Sequence, residues 1–338
     1  MNSQISTVRT FIHRPRIIMT THRLPHLSAP RTDAVAPPVT GVPLVAADGR
    51  VLAARWSEPA DGPARAVAVI HPGAGIPARH YRAFAAWLAG RGYAVLSYDY
   101  RGIGDSRHGS SLRDEPATMG DWARLDMSAA LTAAERRRAT HGLPLLLVGH
   151  SFGGHAIGFA SGVERADAIL AVASQGGEWR VWPRPQRYVV AGFFGAWVPA
   201  LVGLFGCLPG WALGGGAPAM PAGVARDWSR WGLRRGYFFT DPEMQAHSSF
   251  RAIVAPVHLW SIADDWAFAP RTAVDALAAR FAQAAVQRHR LHPGEVGARA
   301  VGHFGIFRRD NGPAIWSRLL APIEAAAPAL RAARLAPL

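Results

Sequence analysis

The sequence predicts an α/β fold: a mostly parallel central sheet with helices on both faces and an inserted Trp-rich cap. Three observations carry this. Strand-like and helix-like segments alternate along most of the 338 residues. Several strand-like segments are near-continuous apolar runs, as burial on both faces of a parallel sheet requires. One long uncharged interval, rich in Trp, breaks the alternation. The length allows either two ordinary domains or one α/β domain with an insertion, and the alternation favours the second. An apolar content of 49% is far from that of a disordered chain.

Taken in order, the first 32 residues carry five Arg and no acidic residue, with Ser, Thr and Pro throughout. The composition is like that of a transit peptide but lacks the apolar core and cleavage site of a secretory signal. Residues 1–40 are therefore expected to form a disordered or targeting-like tail, with Met19 an alternative start. Residues 42–58 present two apolar runs around Asp48-Gly49, a two-residue hairpin signal. Strands are predicted at 66–71, 93–100, 143–150, 168–175, 257–264 and 285–293. Between the first two of these, Tyr81, Phe84, Ala85 and Leu88 recur at helical spacing, and Trp122, Leu125 and Ala129 do so in the next gap. Parallel neighbours need crossover connections, which these helices supply.

The interval from Gln175 to about Ser249 holds six of the twelve Trp, and Tyr188 to Ala225 contains no Asp, Glu, Lys or Arg. Such a run must be tested as a membrane span. Pro199, Pro209, Pro218, Pro221 and the run Gly214-Gly215-Gly216 make one continuous helix unfavourable there. The division that follows is a core at 41–175 and 250–338 with a cap, or lid, at 176–249.

The formal charge of +14 comes from Arg alone, with no Lys. The charges are scattered, and the longest basic run, Arg136-Arg137-Arg138, falls late in a predicted helix, where cations suit the helix dipole. With no basic stripe or reader motif, no nucleic-acid partner is expected. One cysteine, Cys207, excludes an internal disulfide framework, and no Cys/His cluster has metal spacing. His289 and His292 lie three apart on a predicted strand and would face opposite ways. No metal and no cofactor are expected.

Gly149-His150-Ser151-Phe152-Gly153 fits G-x-S-x-G and sits between the most convincing buried strand, "LPLLLV", and the small-residue helix start "GHAIGFASG". A sharp turn there would hold the serine in a strained conformation with its hydroxyl presented outward, so its neighbours must lack side chains; Gly149, Gly153 and Gly154 meet that need. A serine hydroxyl becomes nucleophilic only when a base takes its proton, and that base needs a carboxylate to orient it. Asp264-Asp265 close the strand "VHLWSIADD", and His303 follows the last strand in "AVGHFGIF".

These features, with "SYDYRGIGDS" at 97–106, resemble the α/β-hydrolase family over roughly 42–325. The stretch from "HPGAGIPARHY" to "YRGIGDS" together with "PAGVARDWSRW" is similar, more narrowly, to a bacterial branch of serine esterases and lipases. The resemblance implies a triad of Ser151, His303 and either Asp265 or Asp264, with the spacing from Pro256 favouring Asp265. It also implies an oxyanion hole from the backbone of Phe152 and of the turn "HPGAG" at 71–75. Because this chain has His71-Pro72 where the family shows His-Gly, the second donor is Ala74 or, one residue earlier, Gly73. His71, His150, Arg101 and Asp105 are expected to pack or to anchor loops, and Cys207 to be a small apolar residue of the cap.

The function expected is that of a cofactor-independent serine hydrolase acting on a small-molecule carboxylic ester or thioester. Phe193, Phe194, Trp197, Leu201, Leu204, Phe205 and Trp211 would form its apolar pocket. Acyl transfer, lyase or cofactor-free peroxidase chemistry on the same fold stays open, as does a lipid-binding module without catalysis. A cytoplasmic location is the default, with peripheral membrane contact through the cap left open, and the sequence does not fix the oligomeric state.

Overall fold

A computed structural model describes residues 37–327 and 330, apart from 110 and 215–217. The expected N-terminal tail therefore lies outside the described residues up to position 36, and its predicted end at 40 overlaps strand β1, Val39–Val45. Chain order continues with β2 (Val51–Ser57), β3 (Ala66–His71), β4 (Tyr93–Tyr98), β5 (Leu145–His150), β6 (Ala168–Val172), a short pair β7 (Cys207–Leu208) and β8 (Met220–Pro221), β9 (Val257–Ile262) and β10 (Val286–Leu291). Eight strands form one sheet in the order β1-β2-β4-β3-β5-β6-β9-β10. β1 with β2 and β2 with β4 pair antiparallel, and the remaining neighbours are parallel. All residues of β3 to β6 and of β9 are buried, so the apolar runs read as central strands do lie inside two helical layers.

The opening hairpin differs in detail from the expected two-residue turn. Ala46 N donates to Arg50 O at 2.8 Å, leaving a three-residue loop in which Gly49 takes φ +82°. That is the longer hairpin loop in which a left-handed glycine restores strand twist. Asp48 is thereby displaced to the turn's flank, where its carboxylate receives Arg101 Nη1 at 2.6 Å.

The crossovers form where apolar spacing placed them. Helix Arg82–Ala89 buries Phe84, Ala85 and Leu88. The next helix begins at a capping box between Thr118 and Asp121, widens into a π turn at Trp122–Asp126 and continues through Met127–Ala139. Trp122 stacks on Tyr100 at 4.9 Å, and its indole N–H donates to Arg101 O at 3.0 Å. The three consecutive Arg occupy the final turn, as the dipole argument required.

Between β6 and β9 lies the Trp-rich segment. As expected, the run 188–225 is not one continuous helix, but Pro199 does not interrupt it: Gln186–Phe205 is a continuous 20-residue helix. A π turn at Phe193–Trp197 directly precedes the proline, and Val198 N bonds back to Phe193 O. A widened turn absorbs the missing proline N–H and ring clash that would otherwise kink the helix. This helix is long and apolar enough to cross a membrane, and 22% of its most apolar 18-residue stretch is buried within the protein. Helix Ala222–Leu233 packs against it, with Gly232 lying under the Phe194 ring, where a Cβ would come within 2.4 Å.

Candidate active site

The register of the sheet brings three strand ends together. Gly149 on β5 pairs with His71 on β3 and with Ala171 on β6, and Val172 pairs with Trp260 on β9. The loops leaving these strands converge outside their carboxyl ends, where open α/β sheets hold ligands.

Ser151 follows β5 with φ 50° and ψ −116°. This is a conformation that a non-glycine residue holds only under constraint. The constraint is visible: Ser151 N donates to Val172 O at 2.9 Å, while Ser151 O receives Gly154 N at 3.1 Å and His155 N at 3.2 Å. Gly153 is required by close approach, since a Cβ there would sit 2.1 Å from His71 O. The helix expected after the serine is only Phe152–His155, followed by a 3-10 turn at Ile157–Phe159. Its small residues instead admit the Phe250 ring, 2.4 Å from where a Cβ of Gly158 would lie.

Asp265 and His303 meet. His303 Nδ1 lies 2.6 Å from Asp265 Oδ2, and both side chains are buried. The other carboxylate oxygen, Oδ1, accepts from Phe268 N at 3.1 Å and Ala269 N at 3.2 Å. Asp264 points elsewhere: its oxygens accept from Val301 N at 2.8 Å and Gly302 N at 3.0 Å, pinning the loop that delivers His303. The His303 ring is sandwiched by Phe268 at 4.9 Å and His150 at 5.0 Å. Among the described residues, no hydrogen bond reaches the Ser151 hydroxyl. Serine–histidine bonds commonly tighten only when substrate binds.

The turn after β3 distinguishes the two candidate backbone donors. Ile76 N closes it onto Gly73 O at 3.0 Å, and Gly75 takes φ +70°, a type II turn with glycine where only glycine is comfortable. Gly73 N is already committed, donating to the Tyr81 hydroxyl at 2.9 Å. Ala74 N has no acceptor among the described residues, and neither has Phe152 N. The turn abuts the serine, because a Cβ on Gly73 would lie 3.3 Å from Ser151 Cβ.

A buried relay ties this turn to the histidine loop. The Tyr81 hydroxyl receives Gly73 N–H, so its own proton goes to His150 Nδ1 at 2.8 Å, and His150 Nε2–H in turn donates to His303 O at 3.1 Å. Burial, and next the neighbouring His303 and His80, hold the His150 pKa well below that of a free imidazole, keeping it neutral as this proton order demands. Sequence periodicity identified Tyr81 as a core residue but gave no sign of its hydroxyl's role. Tyr81→Phe leaves both Gly73 N–H and His150 Nδ1 unpaired and is expected to cost about 1–3 kcal/mol of stability. Urea denaturation of variant and wild type checks this; an unchanged midpoint would remove the relay's importance.

The predicted pocket residues divide. Phe193 and Phe194 line an apolar cavity of about 220 Å³, with Trp182, Val190, Trp228 and Phe268. Leu201 is instead packed in the core. Trp197, Leu204, Phe205 and Trp211 face outward, Leu204 being 72% exposed, with Trp211 edge-on to both Trp197 and Phe205. One face of the 20-residue helix lines the cavity and the other meets solvent, a division that uniform hydrophobicity could not reveal. A second, larger cavity of about 530 Å³ is lined by His303 itself and by Ile76, Arg79, His80, Arg308 and Asn311. None of the last five was foreseen.

The residues expected to be anchors behave so. Arg101 binds Asp126 through Nε at 2.8 Å and through its backbone N at 2.9 Å. Asp105 pairs with Arg55, and His71 Nδ1 meets the Tyr98 hydroxyl at 2.8 Å. His289 stacks on Trp260 and His258.

The family described as serine aminopeptidase, S33, matches residues 62–205. No curated protein matches the sequence. Among solved structures, a bacterial brefeldin A esterase, described as a homologue of human hormone-sensitive lipase, is similar at TM-score 0.56 and 17% identity. The match covers 89% of this chain and 80% of that one. A soluble variant of monoglyceride lipase from Saccharomyces cerevisiae is similar at TM-score 0.59 and 13% identity, covering 87% and 96%. The esterase Pf2001 of Pyrococcus furiosus is similar at TM-score 0.54 and 15% identity, covering 86% and 92%. With the sheet order, the elbow and these likenesses together, the chain has the α/β-hydrolase fold and resembles the serine esterases.

Proposed function

We propose that this enzyme hydrolyses a carboxylic ester or thioester with an apolar part, through Ser151, His303 and Asp265. The observation that carries the reading is the Asp265 carboxylate held 2.6 Å from His303 Nδ1 while two backbone amides fix its other oxygen. A carboxylate there accepts the Nδ1 proton, which leaves Nε2 as the imidazole's basic atom. His303 Nε2 takes the Ser151 proton as Oγ attacks the carbonyl carbon. The resulting oxyanion accepts from Phe152 N–H and Ala74 N–H, neither of which has an acceptor among the described residues. Nε2–H then protonates the departing alcohol or thiol. Water, deprotonated by the same nitrogen, releases the acid from Ser151. Each oxyanion donor is worth about 3 kcal/mol of transition-state stabilisation. The cavity under Phe193 and Phe194 suits the apolar part of the substrate.

A fluorescent fluorophosphonate, which reports an activated serine, tests this. Labelling confined to Ser151 and absent from Ser151→Ala is expected, with turnover of p-nitrophenyl esters rising from acetyl to longer acyl chains. Folded protein that takes no label would overturn the reading.

A further inference from the structure

His303 stands between two cavities of opposite character. Only its stacking partner Phe268 lines the apolar one, whereas His303 itself lines the larger one. The larger cavity's wall carries Arg79, His80, Arg308 and Asn311 and, among the described residues, no carboxylate. Some Arg side chains elsewhere on the surface are spent on Asp and Glu, as with Arg50, Arg124, Arg137 and Arg230. Arg79 and Arg308 are exposed, and neither guanidinium has an ion pair or hydrogen bond among the described residues. His80 Nε2 is buried there without a partner. Asn311 Nδ2 is held by Gly305 O at 3.1 Å, fixing its amide at the cavity wall.

Unpaired guanidinium groups beside a buried, unpartnered ring nitrogen suit an oxyanion, because planar Arg forks bind carboxylate or phosphate in paired hydrogen bonds. The side of the catalytic histidine also says which half of the substrate lies here. The departing alcohol must receive its proton from His303, so the cavity that His303 lines is the alcohol's.

Resting on the hydrolase reading above, we infer that the preferred substrate is an amphiphilic ester. Its acyl chain lies under Phe193 and Phe194, and its alcohol carries a phosphate or carboxylate bound by Arg79 and Arg308. Hydrolysis would release a free acid and an anionic alcohol.

Three decanoyl esters test this: of glycerol, of glycerol 3-phosphate and of 3-hydroxypropanoate. At least one anionic ester is expected to exceed the neutral one in kcat/KM by about tenfold or more, the size of effect a charge-assisted contact gives. The better of the two identifies the head group. In R79Q/R308Q that ratio should fall towards one, whereas R309Q, whose side chain lies outside the cavity lining, should keep it. Calorimetric titration with glycerol 3-phosphate and with 3-hydroxypropanoate gives a readout independent of turnover: at least one should bind, about tenfold more weakly in the double variant and more weakly as salt rises. A wild-type ratio near one with neither alcohol bound, or a preference that survives in R79Q/R308Q, would overturn the inference. Anion binding that depends on both Arg, without turnover or serine labelling, would keep the cavity's assignment and overturn the hydrolase reading instead.

Discussion

Asp265→Asn is expected to lower kcat by about 10⁴-fold with KM little changed, the loss this substitution causes in comparable triads. The asparagine keeps an oxygen for Phe268 N and Ala269 N, so the loop survives. Its amide nitrogen then faces His303 Nδ1 as a donor. The ring must answer with a lone pair on Nδ1, which places the proton on Nε2, the atom that has to accept from Ser151. The neighbouring carboxylate provides the contrast. Asp264→Asn weakens one of the contacts to Val301 N and Gly302 N and leaves the imidazole's tautomer alone, so a stability cost of about 1–3 kcal/mol and a kcat within about tenfold of wild type are expected. Steady-state turnover of one p-nitrophenyl ester by both variants decides between them. An Asp264 variant that loses more activity than the Asp265 variant would reassign the acid.

Why the sequence could distinguish these aspartates only by family spacing is a matter of geometry. Adjacent residues leaving a strand point in different directions, and which one meets His303 depends on where the 292–303 loop delivers the ring. The parts legible in advance were those set by local pattern. The central parallel strands were apolar runs bounded by turn residues, Arg82–Ala89 had its Phe84, Ala85 and Leu88 face, and Ser151 lay between glycines with no room for a side chain, Gly149 against the backbone of Gly154 and Gly153 against His71 O. What remained hidden was set by long-range contact. Pro199 did not break its helix, because a π turn one step earlier changed what its nitrogen had to do. Phe193, Phe194, Trp197, Phe205 and Trp211 all read as pocket candidates, since a helix apolar on every side does not declare which face meets the protein. Arg79 and Arg308 come from segments 229 positions apart in number, and nothing short of the fold brings them to one cavity.

Stability should fall steeply as pH drops below 6.5, by roughly 2.7 kcal/mol per pH unit from two histidines alone. His71 and His155 are buried, and burial holds each imidazole down to about 3. Both are neutral in the native state at any ordinary pH. In the unfolded chain each regains its usual value near 6.5. Below that pH the unfolded state binds more protons than the native one, so the stability these groups allow is present above pH 6.5 and is lost progressively between 6.5 and 3. Each contributes a slope of about 1.4 kcal/mol per unit. His150, also held neutral by burial and by the neighbouring His303 and His80, acts in the same direction. Against a typical total of about 5–15 kcal/mol for a domain, a slope of about 2.7 kcal/mol per unit removes about 5 kcal/mol by about pH 4.6. Urea unfolding at half-unit steps from pH 7 to 4.5 measures the slope. His155→Asn should be less stable at pH 7, through loss of packing against Phe152, Tyr237 and Phe238, yet its slope below pH 6 should be shallower by about 1.4 kcal/mol per unit. The two effects have opposite signs in acid, so they separate cleanly. A variant that lost stability at neutral pH but kept the wild-type slope would mean that His155 takes up its proton inside the fold.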